Sequence, residues 1–480
     1  MQGKNSKTWL DKLISWADEK KIPPKQFPRD KNAIKSLTEL DLSSCDLDKK
    51  DFPNELANLQ SLEKLDLYDS YLKDFPKVIC ELKNLKELIL QNCALESESL
   101  PAEFANLQKL EKLNLYGAFI DSLPNRFSEF PKVLFELKNL KELILGECYF
   151  DELPNELLSL PKLESLALNI EEFQEKLDEF QAYFKVICKL TQLKTLKMDE
   201  FKFTYLPDSL ANLQNLENLC LFVNEFKEFP SVILKLKKLK SLELSCCKLT
   251  SLPDELVSLQ SLERLDLTGN HFKEVPKVIC ELKNLKELDL MSCGVQSFPK
   301  EFAKLKHIKK LSVLQNNFVN FPKVLCKFTE LTELDLRFSN ISSLPAEFAN
   351  LQRLETLILR GNKIKKLPKA ICELKNLKTL DCNQCQLKSL PGELANLQKL
   401  EWLNLEGDFK EFPKVICELK NLKELYLDGC NFRHLPDEFA NLKKLEKLGL
   451  YNNKFKQFPP VLRKLDIKWL SIGKEFEKEL

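Results

Sequence analysis

Glycine is scarce in this chain, at 11 of 480 residues. Loops that cradle phosphate need closely spaced glycines, so neither a Walker loop nor a dinucleotide-binding loop is expected. Histidine is rarer still. His271, His307 and His434 are far apart in sequence and suggest no shared metal or acid–base site. HExxH, GxSxG and EF-hand patterns are missing. An excess of one charge is missing too: 73 basic residues against 72 acidic leave a net charge of +1 and a pI near 7.3. That balance gives no electrostatic reason to bind nucleic acid or an acidic membrane surface. No apolar run reaches the length of a membrane span. Met1 to Thr8 are polar and do not make a signal peptide.

What is present is repetition. The pattern LPxELxxLxxLExLxLxxN returns about every 23 residues from Leu37 almost to the end. One tract reads LPDELVSLQSLERLDLTGN (Leu252 to Asn270), and the next reads VPKVICELKNLKELDLMSC (Val275 to Cys293). With the opening leucine of a unit at offset 0, apolar residues fall at offsets 0, 3, 5 and 10, Asn or Cys at 8, and Pro near 14. Leu262, Leu265, Leu267, Asn270, Phe272 and Pro276 show this in one unit. Offsets 3 and 5 alternate with polar neighbours, the period of a short strand with one buried face. A proline then opens an amphipathic run such as Val278, Ile279 and Leu282, and is expected at its first helical position. One such unit cannot bury enough surface to fold alone, so its neighbours must cover both flanks.

These units resemble those of leucine-rich repeat proteins. They are nearest the intracellular LPxxL group, which includes bacterial proteins, plant Ras-group-like repeats and the Ras-signalling scaffold type. The resemblance covers about nine tenths of the chain. It implies an α/β fold: a curved solenoid with a parallel β-sheet on the concave face and short helices or 3-10 turns on the convex face. The expected organisation is an N-terminal helical cap over residues 1–36, about 18 repeats over 37–467, and a C-terminal cap over 468–480.

The units alternate in kind, with a super-repeat of about 46 residues. One kind has cysteine at offset 8 (Cys45, Cys93, Cys148, Cys247, Cys293, Cys385, Cys430), the other mostly asparagine (Asn224, Asn270, Asn316, Asn362, Asn453). Charge alternates as well. In an in-register parallel sheet Glu39, Lys64, Glu87, Lys112 and Glu142 would stand side by side, a ladder that sets register. Cysteines of one set lie two strands apart, about 9–10 Å, too far for a disulfide. The second set (Cys80, Cys188, Cys280, Cys326, Cys372, Cys417) has the same spacing. Reduced, buried thiols in a cytoplasmic protein are expected. The lone CxxC, Cys382 to Cys385, stands at inward offsets and is read as core filling. Asp66, Asp266, Asp289, Asp335 and Asp381 share offset 4 and are read as part of the repeat consensus.

Residues 7–22 form an amphipathic helix with Trp9, Leu13 and Trp16 on one face, similar to the caps of bacterial members. Three units break the rule. Residues 118–139 carry about seven extra residues, with Leu123-Pro124 and Phe130-Pro131. Residues 170–190 lose the proline, and Phe173, Leu177, Phe180, Phe184 and Ile187 make a helical stripe. The unit near Glu406 to Pro413 is one residue short. Lys132 to Phe135 matches a docking motif for type-one phosphatases, but it is also one more repeat helix in which Val133 should be buried.

The concave offsets 4, 6, 7 and 9 vary between units and are where a partner would bind. Tyr68, Ile89, Tyr116 and Ile144 make one stretch, with Tyr71 and Phe119 at the strand edge. Met291, Leu314, Arg337, Phe338, Ile358 and Arg360 make another. Exposed apolar and aromatic side chains rimmed by charge mark protein-binding surfaces. The expectation is a monomeric, non-enzymatic scaffold binding another protein, with no cofactor, metal, nucleic acid or membrane. The alternative is a regulatory subunit or secreted effector acting on small GTPase or phosphatase pathways.

Overall fold

A computed structural model describes residues 7–96, 98–117, 125, 127–146, 152–169, 180–318, 320–409, 411–474 and 476. Phe119, Leu123, Pro124, Cys148, Phe173, Leu177 and the Phe180 side chain lie outside the described residues. The chain divides into two compact units, Met1–Phe226 with Pro230–Leu239, and Lys227–Phe229 with Lys240–Leu480. Both use the same repeat. Its strand covers offsets 2 to 4, with the offset-3 leucine buried and its two neighbours on the open face. Offset 7 turns the chain through a left-handed residue, such as Ser44, Asn92 or Gln315. A five-residue 3-10 turn then returns along the back.

The first unit has eight described parallel strands: β1 (Glu39–Asp41), β2 (Lys64–Asp66), β3 (Glu87–Ile89), β4 (Lys112–Leu115), β5 (Glu142–Leu145), β6 (Ser165–Asn169), β7 (Thr195–Asp199) and β8 (Asn218–Cys220). Register is set leucine to leucine, Leu40 with Leu65, Leu65 with Leu88 and Leu88 with Leu113. The charge ladder forms as the sequence predicts. Glu39, Lys64, Glu87, Lys112 and Glu142 are successive partners, and Lys64 meets Glu87 at 2.7 Å. Helix α1 (Trp9–Glu19) precedes the array, opened by a Thr8–Asp11 capping box. It lies against the first repeat, where Trp16 Nε1 donates to the Asp51 carbonyl at 2.6 Å and Lys12 pairs with Glu55 at 2.6 Å. The buried face is Leu10, Leu13, Trp16 and Ala17, and Trp9 is only half-buried. After α2 (Lys31–Lys35), the one other long turn is α3 (Phe180–Ile187), with Phe184 and Ile187 buried. It replaces a proline-led turn where the sequence predicts a longer helix.

The second unit has eleven described parallel strands: β9 (Ser241–Glu243), β10 (Arg264–Asp266), β11 (Glu287–Asp289), β12 (Lys310–Ser312), β13 (Glu333–Asp335), β14 (Thr356–Ile358), β15 (Thr379–Leu387), β16 (Trp402–Gly407), β17 (Glu424–Tyr426), β18 (Lys447–Gly449) and β19 (Trp469–Ser471). Charges again pair across it, Glu263 with Lys286 at 2.8 Å and Arg264 with Glu287 at 3.2 Å. The unit that is one residue short follows a register shift between Cys382 and Leu387 on β15. Cys382 and Cys385 are both buried, as core filling requires. Among the described residues no helix is long and apolar enough to cross a membrane.

Three details correct the sequence reading. The repeat prolines stand at the N-cap of their turns, not at the first helical position. There the proline carbonyl accepts the turn's first bond, as from Leu56 N–H to Pro53 at 3.0 Å, and its missing N–H leaves nothing unpaired. In Lys132–Glu136 the buried residue is Leu134, while Val133 is half-buried. The third residue of these 3-10 turns points inward, as with Leu56 and Ile79, while the second is buried in some repeats, such as Val278, and only half-buried in this one.

The third concerns the extra residues in 118–139. Offset 8 counted from Leu110 would be residue 118. The part is played instead by Asn125, seven positions later and fully buried. Its Oδ1 accepts from Cys93 and Leu95 N–H, and its Nδ2 donates to the carbonyls of Leu90 and Leu115.

Regular asparagines do the same. Asn270 donates to Leu244 and Leu267 carbonyls at 2.8 and 2.7 Å and accepts from Leu249 N–H at 2.9 Å. Cysteines of the other unit kind bond backwards with their thiols: Cys293 Sγ donates to Leu267 at 3.0 Å, Cys385 Sγ to Leu359 at 3.0 Å, and Cys93 Sγ to Leu67 at 3.1 Å as well as to Gln91 in its own turn at 3.6 Å.

Candidate binding surface on the open face of the sheet

Offset 4 begins the surface. An aspartate here accepts the N–H two residues on: Asp266 from Thr268, Asp289 from Met291, Asp335 from Arg337 and Asp381 from Asn383. Each carboxylate closes the turn that lifts offsets 6 and 7 out of the sheet. The shared aspartates are therefore turn caps. Among the described residues no three His, Cys, Asp or Glu side chains are placed to hold a metal ion.

In the first unit Ile89 on β3 and Ile144 on β5 are half-buried and stand either side of Asn114 on β4. Tyr68 and Tyr71 are exposed. Tyr116 follows β4 at offset 6. Its ring lies over Gly146 of the next repeat, where an added Cβ would fall 2.3 Å from the ring. The hydroxyl reaches β6, where Asn169 Nδ2 donates to it at 3.3 Å. A glycine on the intervening repeat is what lets this side chain cross a full strand.

In the second unit Met291, Leu314, Arg337 and Arg360 occupy offset 6 of four consecutive repeats, with Phe338 at offset 7 and Ile358 on β14. Arg337 chelates Asp335 through Nε and Nη2, at 2.9 and 2.6 Å. That pairing lifts the Arg337 guanidinium above its ordinary range. The aspartates of β10, β11 and β13 with Met291, Leu314 and Arg337 line a recess of about 290 Å³. Burial, with help from Asp289 and Glu243, pushes the Asp266 carboxyl upward. Leu314 corrects the sequence reading: it is 8% exposed and forms a floor. Its neighbours at the same offset, Met291 and Arg337, line the recess with it.

Phe338 is 43% exposed. Its φ of 51° makes it the one aromatic among the described residues with left-handed backbone, a conformation bulky side chains avoid. The ring lies over Gly361, itself at φ 73°, where a Cβ would be 2.2 Å from it. Tyr116 and Phe338 thus share one construction, a ring laid on a glycine of the next repeat.

Sequence reasoning missed a third cluster. Trp402 on β16, Tyr426 on β17 and Trp469 on β19 are in ring contact, with centroids 5.6 and 6.0 Å apart. Aromatics at offsets 2 and 4 of nearby repeats are the signal that could have found them.

Models of the leucine-rich repeat region match residues 31–179, 167–268, 234–341 and 377–479, and a further leucine rich repeat model matches 329–387. No curated protein matches the chain. Among solved structures, a leucine-rich repeat protein of Leptospira interrogans is 31% identical, with 86% of this chain and 97% of that one covered and a TM-score of 0.57. The plant peptide hormone receptor RGFR1, in complex with RGF2, is 22% identical, with 92% and 82% covered and a TM-score of 0.51. TLR13, in complex with ssRNA13, is 21% identical, with 91% and 71% covered and a TM-score of 0.56. The last two are similar in fold alone. The matched regions and the Leptospira relative, on top of the repeat geometry, establish that the chain belongs to the leucine-rich repeat family.

Proposed function

We propose that this protein is a non-enzymatic scaffold that binds another protein on the open face of its sheet. Leucine-rich repeat folds commonly serve as protein-interaction scaffolds, which supports the class. The observation that carries the reading here is the pair of glycine-seated rings. Tyr116 and Phe338 are large, held in place before any partner arrives, and partly open to solvent. Rigid aromatic anchors of this kind dominate interface energies, and holding them in advance lowers the entropy cost of binding. Ile89, Ile144, Met291, Ile358 and Arg360 complete the two surfaces around them. The chain is near neutral, which favours a protein over a nucleic acid as partner.

In this reading residues 1–36 and 468–480 close the ends of the array, and the protein works in a reducing bacterial cytoplasm. The Leptospira relative supports the source. Fifteen described cysteines, none of them in a disulfide and most of them buried, support the compartment. Phosphatase docking through Lys132 to Phe135 has no support, because the segment is a 3-10 turn and Phe135 is stacked on Phe130 at 5.0 Å.

The test is affinity capture from lysate of the source cell, with wild type compared to the Tyr116→Asp, Phe338→Asp double variant. Circular dichroism confirms that both are folded. A partner held by wild type and lost from the variant is the expected result. Equal capture by both would remove these rings from the site. Capture by neither would favour the effector alternative, whose partner is a host protein.

A further inference from the structure

The aromatic cluster of β16 to β19 repeats the ring-on-glycine construction of the two surfaces above and adds carboxylates to it. Tyr426 points over Gly449 on β18, where an added Cβ would lie 2.9 Å from the ring and 2.8 Å from an Asp428 oxygen. Without a side chain at Gly449, Tyr426 spans β18 and meets Trp469 on β19. Glu424 fixes the arrangement from below. It accepts from the Tyr426 hydroxyl at 2.9 Å and pairs with Lys447 at 2.9 Å, and the Trp402 side chain hydrogen-bonds to it as well. Lys447 therefore neutralises Glu424.

Two other carboxylates have no such partner: Asp428, whose oxygen reaches the same place beside Gly449 as the Tyr426 ring, and Glu406 near Asp428. Glu406 and Asp428 form no ion pair among the described residues, and the Glu406 side chain lies beside Gly429, the residue that follows Asp428. Burial raises the Asp428 carboxyl against the pull of its bond from Tyr451 N–H, and Glu406 adds to the rise. Trp469 is 47% exposed. The patch thus combines an open π-surface with uncompensated negative charge. A guanidinium answers both at once: it stacks on aromatic faces and bonds carboxylates in its own plane.

We propose that Trp402, Tyr426 and Trp469, with Glu406 and Asp428, form a site for an arginine side chain presented by an extended segment of a partner protein. This rests on the reading of the sheet face as protein-binding, and it names the chemistry recognised at one end of that face.

The test uses the full chain and intrinsic fluorescence. The chain has four tryptophans, two of them in this site. The probes are the N-acetylated, C-amidated peptide Gly-Arg-Gly-Arg-Gly and its citrulline counterpart, which keeps the planar head group and lacks the charge. The arginine peptide should change tryptophan emission saturably. The citrulline peptide should bind at least about tenfold more weakly. Trp469→Ala should abolish the response. The Glu406→Gln, Asp428→Asn variant leaves the rings in place and should weaken binding about tenfold or more. Equal binding of both peptides, unchanged binding by the carboxylate variant, or no saturable response would each overturn the proposal. Those failures leave the capture difference at Tyr116 and Phe338 untouched. Equal capture by wild type and the double variant beside a positive titration would instead count against those two rings and spare this site.

Discussion

Unfolding of the Asn270→Ala variant is expected at clearly lower denaturant, with a loss of roughly 3 kcal/mol or more. Asn270 is 1% exposed. Alanine there leaves the buried Leu249 N–H without an acceptor and takes one donor each from Leu244 and Leu267. An orphaned buried donor alone costs about 1–3 kcal/mol. The companion variant Cys293→Ala removes only a weak S–H bond to Leu267, whose carbonyl keeps the Asn270 bond. Its loss should be about 1 kcal/mol. Hydrogen exchange gives a second readout: the Leu249 amide should lose protection in Asn270→Ala and keep it in Cys293→Ala. Equal losses in the two variants would mean that the asparagine bonds contribute nothing beyond filling space.

Gly361→Ala should damage stability and binding together, for two separable reasons. A Cβ at φ 73° is strained by about 1 kcal/mol or more, and it collides with the Phe338 ring. Adding Phe338→Ala relieves the collision and leaves the backbone strain. The double variant should therefore be more stable than Gly361→Ala, with a coupling of about 1 kcal/mol or more, while partner binding stays lost. Gly146→Ala isolates the collision, since no left-handed backbone is involved there. It should displace Tyr116, break the bond from Asn169 and weaken capture with a smaller change in melting temperature. Gly361→Ala with undiminished capture would separate Phe338 from the binding surface.

The sequence shows what depends on period alone. Strand position, leucine register, the Glu39 to Glu142 charge ladder and the inward cysteines all follow from counting offsets, because stacked units repeat each offset at one place. Where the count slips, the reading fails. Asn125 takes the ladder position after an insertion because backbone geometry, not sequence distance, selects the residue that fits there. Val133 and Leu314 escape the count for a related reason: one offset is buried in some repeats and open in others, as Val278 and Val133 show at the turn and Leu314 and Met291 at offset 6. The two glycine-seated rings and the Trp402, Tyr426 and Trp469 contact were not legible as structures. Each depends on a side chain leaning across onto a neighbouring repeat, which counting offsets does not show.

The alternation of asparagine and cysteine bears on how such a chain can change length. An asparagine donates to its own turn and the turn before it and accepts from the latter as well, while a cysteine's bonds are weak S–H donations to carbonyls, so the two kinds of unit make different joints. The charges at offset 1 follow the same beat from Glu63 to Lys286 and again from Glu355 to Lys468. Cutting out one repeat would set Lys beside Lys and one ladder type beside its own kind. Cutting out or duplicating two would restore every match. The smallest step by which this protein can grow or shrink without a fault line is therefore a pair of repeats.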